Sequence, residues 1–587
     1  MSAPGPEKAR GRKTGANWAR PVPLVGDTTS AADRARQPEA WAFPEDQKEA
    51  LYRVIEARRD VRRFRPGPVP RALLERVLGA AHAAPSVGHS QPWRFIVVSE
   101  PGARERAALV AERERLRQAR LLTEEAGRKM MDLQLEGIRE APLGLGACCD
   151  RRAPAKGVLG RATFPDTDLW SCACAIENLW LAARAEGLGL GWVTLFPPAE
   201  LRALVGLPDG VETLGWLCLG WPDERLPLPG LERAGWSRRV GLASVVLSER
   251  WPGEGPPPPP SALRSPGQAA VVGARDRADR LLTAPGSLGA LDRALDRLGS
   301  LGISTTGGGT LVVVGADHPV WHHGVSTYPQ ATTREVLEAT VAGESLGAAM
   351  ARAAGLAVVA VDAGVEGGPV PGAVGCRPGG RRGDLAHEDA LELADVATLV
   401  EAGRRLGSQA PARLLALGEV GMANTTVAAA ATAALLHLKA EETVGLGASG
   451  DSTTLQRKRE VVEAALERAG DLPGPMEVLG ALGGPELAVL AGVVLGAAGR
   501  GAGVVLDGLA TSAAALCAVR LEPGAAGCLI AGQRSREKAH PAVLDELGLE
   551  PLLDLRLRAG EGIGATLSCQ LLATALRARS LAGKVGP

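Results

Sequence analysis

Leu311-Val312-Val313-Val314-Gly315-Ala316-Asp317-His318 reads as a short apolar strand that delivers an acid and an imidazole at its end. Ala357 to Val361 and Gly503-Val504-Val505-Leu506-Asp507 repeat the pattern, each a short apolar run closing near Gly or Asp, with helical stretches between them. That alternation predicts an α/β fold with a parallel sheet and ligands at the C-terminal ends of its strands. It occupies only the second half of the chain. Upstream the text changes: Glu49 to Arg58 and Arg71 to Ala83 carry amphipathic helical spacing, Arg94 to Ser99 reads as a buried strand, residues 103 to 140 as charged helix, and Cys172 to Glu186 as a long apolar helix. Gly189 to Phe196 and Thr213 to Gly220 read as strands, so the first half is α+β, a mixed sheet with helices packed on it.

At 587 residues the chain exceeds one ordinary core. The expected layout is a disordered tail over 1–43, a first domain over 44–250, a proline-rich linker over 251–267 containing Pro256 to Pro260, and a second domain over 268–587. Hydrophobic residues make up 45% but aromatics only 3%, so the cores rest on Ala, Leu and Val. Sixty-six basic residues balance 66 acidic ones, which gives no electrostatic drive toward nucleic acid or anionic membrane. No secretory signal or membrane-spanning stretch is visible. Nine scattered cysteines without metal-ligand spacing read as reduced, buried thiols, and the expected location is cytoplasmic.

Two segments of the first half concentrate chemistry. Arg58, Arg59 and Arg62 surround Asp60; were the helix to continue, Arg58 and Arg62 would share a face, and guanidinium forks match a phosphate. Ser86, Gly88, Gln91 and Pro92 combine backbone freedom with hydroxyl and amide groups just before a strand. Further on, Gly187 to Gly191 can bring backbone N–H groups close to a flat ligand. On residues alone Asp60 is equally a helix cap or an ion-pair partner of Arg62. Together, Arg-Arg-Asp-Val-Arg (58 to 62), Ala-Ala-Pro-Ser-Val-Gly (83 to 88), Gln-Pro-Trp (91 to 93), the helix ending at Gly187 and Gly-Trp-Val (191 to 193) resemble the FMN-binding nitroreductase fold. Within it they resemble the 5,6-dimethylbenzimidazole synthases. That family consumes reduced FMN and O2, fragments the flavin ring and releases the lower-ligand base of cobalamin. The resemblance implies Asp60 as general acid/base, the arginines on phosphate and flavin edge, Ser86, Gly88, Gln91, Pro92, Gly189, Gly191 and Arg238 around the flavin, and Thr194 where the family has Ser. A separate flavin reductase would supply FMNH2.

In the second half, Gly418-Glu419 to Thr426 forms a glycine-bearing loop before an apolar helix that Thr425 or Thr426 can cap. Such a terminus suits phosphate. Gly445 to Gly450 is a second such loop, followed by Lys458, and Glu561 stands between Gly560 and Gly562. Asp317-His318 lacks a third ligand at useful spacing and His322-His323 stands alone, so no metal is expected. With Pro-Gly-Ser-Leu-Gly (285 to 289), Gly-Val-Ser-x-Tyr-Pro (324 to 329), Leu-Gly-Gly-Pro-Glu (482 to 486) and Asp507-Gly508, these pieces resemble the nicotinate-nucleotide:dimethylbenzimidazole phosphoribosyltransferases. The resemblance implies Glu561 as the base that deprotonates the benzimidazole, helped by an apolar pocket, with Glu419 in support. It places Tyr328 and Glu335 near the base, and Asp317, Ser326, Gly421, Asn424, Thr425, Thr426, Gly447, Lys458, Asp507 and Gly562 around the substrates. Ala423 stands for a loop Gly of that family, Gln533 for a His and Glu335 for a Gln. Both resemblances imply a homodimer. The alternative is an NAD(P)H nitroreductase with bound FMN, joined to a non-catalytic binding domain.

Overall fold

The computed structural model describes residues 36–133, 135–251, 261–305, 307–447 and 451–584. The chain divides into two compact units, one of Trp41–Pro256 and the other including Pro257–Pro587. Pro256 to Pro260 and most of the tail expected over 1–43 lie outside the described residues.

The first unit is built on β1 (Phe64–Arg65), β2 (Trp93–Val98), β3 (Leu143–Asp150), β4 (Gly189–Val193) and β5 (Val211–Pro222). Their order is β1-β5-β3-β2, with β4 also on β5, and every ladder is antiparallel. The expected mixed sheet is therefore not formed; the parallel element is a single bridge between Asp60 and Leu190. β3, central in the sheet, has no counterpart in the sequence reading. Its Leu-Gly-Leu-Gly-Ala-Cys-Cys has few β-branched residues to announce a strand. Gly144 is nevertheless required, because a Cβ there would lie 1.9 Å from the buried Trp216 ring. The long helix Thr167–Ala185 packs Ile176, Leu179 and Ala183 on Leu145, Ala147, Leu217 and Leu219. Eight of the nine cysteines are buried and all are free; Cys174 is exposed.

The second unit holds β6 (Gly309–Gly315), β7 (Leu356–Asp362), β8 (Val374–Gly375), β9 (Leu414–Val420), β10 (Gly503–Leu506) and β11 (Leu529–Ala531), all parallel in the order β11-β10-β9-β6-β7-β8. The expected parallel sheet is present, and β9 at its centre carries Glu419 near its C-terminal end. The last part of the expected linker belongs to this unit. Glu522 accepts hydrogen bonds from Ser261 Oγ and the backbone N–H groups of Ala262 and Leu263, and helix Gln268–Asp279 starts directly after Gly267. No helix among the described residues is long and apolar enough to cross a membrane.

Helices Leu393–Gln409 and Pro485–Gly499 meet backbone to backbone. A Cβ on Gly492 would lie 2.0 Å from the Val400 carbonyl oxygen, and one on Gly403 2.0 Å from that of Val489. Gly492→Ala should therefore force the helices apart and cost about 1–3 kcal/mol. Thermal denaturation checks this, and an unchanged melting temperature would show that the contact is not a close one.

Candidate active sites

In the first unit, helix Glu45–Ala57 ends before the arginines, and Arg58 is already extended at ψ 133°. The condition for Arg58 and Arg62 to share a helical face is thus not met. The three guanidinium groups diverge. Arg58 lies over the Trp180 ring at 4.6 Å and 3.6 Å from Glu177. Arg59 donates to the Pro227 carbonyl at 2.8 Å. Arg62 donates to Asp60 and, at 2.8 Å, to the Trp192 carbonyl.

Asp60 is fixed from two sides: Trp192 N–H donates to Oδ1 at 3.1 Å and Arg62 to Oδ2. Burial raises the pKa of this carboxyl, against the opposing pull of Arg62. Its side chain still keeps 41% of its surface open. The ion-pair reading of Asp60 is thus realised, and it coexists with an accessible edge. Gly189 and Gly191 serve this arrangement. A Cβ on Gly191 would lie 2.3 Å from the Val61 carbonyl oxygen, and one on Gly189 2.8 Å from Val61 Cγ1. Their bareness lets the 60–62 segment dock on β4. Thr194 follows β4 and is exposed.

The Ser86–Pro92 loop is a tight turn. Ser86 Oγ accepts from Gln91 N–H at 3.1 Å, and Gly88, His89 and Gln91 all have positive φ, at 52°, 53° and 47°. Non-glycine residues held there store strain, which suits a loop shaped for a ligand. Arg238 lies exposed in the segment after helix Gly230–Arg233. The residues that could take part in holding a flavin are Arg58, the half-open Asp60 carboxyl and the exposed Thr194 and Arg238.

The second unit has a cavity of ≈290 Å³ at the C-terminal end of its sheet. Of the expected residues, Ser326, Tyr328, Glu419, Gly421, Asn424, Thr425, Gly447, Lys458, Asp507 and Glu561 line it. Asp317, Glu335, Thr426 and Gly562 do not. Asp317 is buried and accepts from Glu366 N–H at 2.8 Å. Glu335 is exposed on helix Ala331–Ala342, whereas Thr332 and Val336 of that helix reach the cavity. Thr426 is fully buried and caps nothing; helix Asn424–Leu436 starts instead from Ala423 at φ 74°. That left-handed conformation explains why glycine suits the position. The end of the expected 445–450 loop lies outside the described residues.

Glu561 sits in a turn at φ 60° whose backbone lies on the sheet. A Cβ on Gly418 would be 2.5 Å from the Glu561 carbonyl carbon, and Glu561 N–H donates to the Glu419 carbonyl at 3.0 Å. The Glu561 side chain is half-buried at the cavity wall. Its Oε2 accepts from Gly347 N–H at 2.8 Å, at the start of helix Leu346–Ala353, where backbone dipoles favour an anion.

Glu419 is the carboxyl whose surroundings oppose charge: burial, then Asp507 and Glu486, push its pKa up to about 8, although Asn424 donates to it. Burial likewise raises Asp507 to about 7, despite hydrogen bonds from Ala565 N–H and Gln533. Lys458 donates to Thr425 Oγ1 at 3.1 Å, and burial lowers its pKa. Sequence reasoning missed Glu537, which faces Lys458 with a pKa raised by burial, and Arg558; both lie near strand ends or glycines already visible in the sequence, but neither belongs to a recognised motif. Gln533 was visible only as a departure from a family pattern, and here it orients Asp507 at 3.0 Å.

A family model described as Phosphoribosyltransferase matches residues 263–582, and one described as Nitroreductase family matches 55–221. The chain belongs to both families. Its second half is 41% identical over 315 residues to a nicotinate-nucleotide–dimethylbenzimidazole phosphoribosyltransferase of Thermus thermophilus, covering 52% of this chain and 93% of that protein. Its first half is 43% identical over 199 residues to a 5,6-dimethylbenzimidazole synthase of Rhodospirillum rubrum, covering 34% of this chain and 93% of that protein. A crystal structure of the Thermus thermophilus phosphoribosyltransferase superposes with a TM-score of 0.51 at 38% identity, over 55% of this chain and 99% of that one. Both halves match enzymes, and the nitroreductase relationship implies flavin involvement in the first.

Glu419 and Asp507 have folded pKa values above their unfolded ones. Their contribution to stability is complete below about pH 4 and is lost as pH rises through about 7 and 8. The ligand-free second unit should thus melt lower at pH 8 than at pH 5, and Glu419→Gln should flatten the difference. A wild-type melting temperature independent of pH over that span would contradict the buried-acid arrangement.

Proposed function

We propose that this chain is a bifunctional enzyme of cobalamin lower-ligand assembly. The first unit fragments FMNH2 with O2 to give 5,6-dimethylbenzimidazole. The second transfers phosphoribose from nicotinate mononucleotide to that base, giving α-ribazole 5′-phosphate and nicotinate. The observation that carries the reading is the pairing on one chain of relatives named for consecutive steps, each matched over 93% of its own length. The product of one reaction is then the substrate of the other.

In the first unit Asp60 is the group that moves protons. Its raised pKa brings the protonated form closer to neutral pH, and Arg62 and Trp192 hold it in one orientation. FMNH2 is a substrate here, so a flavin reductase elsewhere must renew it. In the second unit, Lys458 and the N–H groups opening helix Asn424–Leu436 suit the phosphate. Glu561 would accept the benzimidazole proton as the nitrogen attacks C1′. The pyridinium of nicotinate mononucleotide is positively charged, and Glu419 and Asp507 line the same cavity. A cation there favours their ionised forms.

The two halves separate by mutation. Asp60→Asn should abolish dimethylbenzimidazole formation from FMNH2 and O2 while α-ribazole phosphate still forms from supplied base. Glu561→Gln should stop the transfer, by roughly 100-fold or more, and let free dimethylbenzimidazole accumulate. Mass spectrometry of the products reads both. Base formation at the wild-type rate by folded Asp60→Asn, or transfer at the wild-type rate by Glu561→Gln, would remove the corresponding assignment.

We also propose a homodimer. Helix Glu45–Ala57 has no buried residue and exposes Leu51, Tyr52 and Ile55. Apolar residues grouped on one helical face suit burial against a partner. Light scattering at micromolar concentration should give twice the chain mass of 60.6 kDa; the mass of a single chain would refute it.

A further inference from the structure

We propose that His323, Asp384 and His387 form a binding site for a divalent transition-metal ion of the zinc class, outside the cavity described above. The reading of the sequence left His323 without partners because Asp384 lies 61 residues away. The fold brings them together. His323 closes the turn Pro319–His323 that follows β6. Asp384 and His387 share one turn, in which His387 N–H donates to the Asp384 carbonyl at 2.8 Å. One ligand atom from each of the three side chains lies within 4.8 Å of the other two. His323 Nε2 is 2.6 Å from Asp384 Oδ2, and the two imidazole rings are 5.5 Å apart. Donors of a tetrahedral zinc ion stand about 3.3 Å from one another, given metal–ligand bonds near 2.0 Å. The His323–Asp384 spacing is shorter than that value and the spacings to His387 are at most 4.8 Å, so small side-chain rotations complete the site.

A simple ion pair accounts for His323 and Asp384 but not for the second imidazole beside them. The surroundings leave the three free to act together. Asp384 Oδ1 accepts from Ala386 N–H at 3.1 Å, which aims Oδ2 at His323 and gives the carboxylate the kind of outer support metal ligands use. Neighbouring charges are engaged elsewhere. Arg382 donates to the carbonyls of Asp317 and Gly364, Arg381 pairs with Glu388, and Arg468 with Asp389. The His323 and Asp384 side chains are 30% and 21% exposed, and His387 is exposed, which provides an entry path and room for a water as fourth ligand. Two imidazoles and one carboxylate select borderline ions such as Zn2+ or Co2+ over Mg2+ and Ca2+, which prefer oxygen donors.

The ion would clip the turn at 319–323 to the turn at 384–387. Ser326 and Tyr328 of the cavity lie three and five residues beyond His323, so the clip would hold the segment that carries them. Metal binding itself does not depend on the phosphoribosyltransferase reading, and its test reads no activity. Tag-free full-length protein stripped with a chelator is dialysed against Zn2+, and separately against Co2+ for its visible absorption. Wild type and His322→Gln should each bind one ion per chain, since His322 turns to the Trp321 ring at 5.4 Å. His323→Gln and His387→Gln should each weaken binding roughly tenfold or more. His387 is exposed, so its replacement leaves the fold intact. Wild-type binding no tighter than that of His387→Gln, equal weakening by His322→Gln, or a preference for Mg2+ over Zn2+ would overturn the site.

Discussion

The turn that carries Glu561 touches the backbone of the central strand β9, and the second unit's site is organised around that contact. Gly418 permits it, because any side chain there would occupy the place of the Glu561 carbonyl carbon. The contact sets Glu561 beside Glu419 through one backbone hydrogen bond, and Glu419 in turn meets Asn424. Gly347 closes the opposite side: a Cβ there would lie 2.6 Å from Glu561 Cβ. A carboxylate on a strained turn at φ 60° is thereby held by backbone on two faces. Strain of this kind persists only where its neighbours leave no alternative.

The same cavity concentrates acids that resist ionisation. Glu419, Asp507 and Glu537 all have pKa values raised first by burial. An empty cavity of this kind favours protonated carboxyls, and a cationic substrate favours charged ones. Occupancy and protonation are therefore linked, and a substrate that loses its positive charge on reaction also loses its attraction. Lys458 keeps a separate place, beside Thr425 and opposite Glu537, where a phosphate would compete with an existing carboxylate.

The parallel sheet was legible because β6, β7 and β10 are continuous apolar runs, and most of the cavity was legible because glycine loops follow strand ends. The central strand β3 of the first unit was not, since Gly144 and Gly146 dilute its pattern; Gly144 is dictated by packing against Trp216, which no local signal reveals. Gly189 and Gly191 read as backbone able to approach a flat ligand; on the side where a Cβ would stand they meet Val61. The arginine triplet looked like one phosphate cradle because spacing describes a helix, and the helix stops at Ala57. Glu335 points the same lesson: its helix is the right one, but its neighbour Val336 faces the cavity.

The two sites differ in how they meet water. The second is a cavity walled by helices, strand ends and the Glu561 turn, so ion pairs within it act in a low-dielectric setting. The first, in a single copy of the chain, is open at its rim: Thr194, Gly88 and Arg238 are exposed, and Asp60 keeps an accessible edge. The proposed chemistry on a reduced flavin needs shielding from bulk water, because solvent protons and side reactions compete with a directed transfer. Helix Glu45–Ala57 of the first unit exposes Leu51, Tyr52 and Ile55 and has no buried residue among those described. A wall supplied by a second copy would shield the site without burying Asp60 further within its own fold. The position of Asp60, held on β4 yet open outward, fits a site completed from outside.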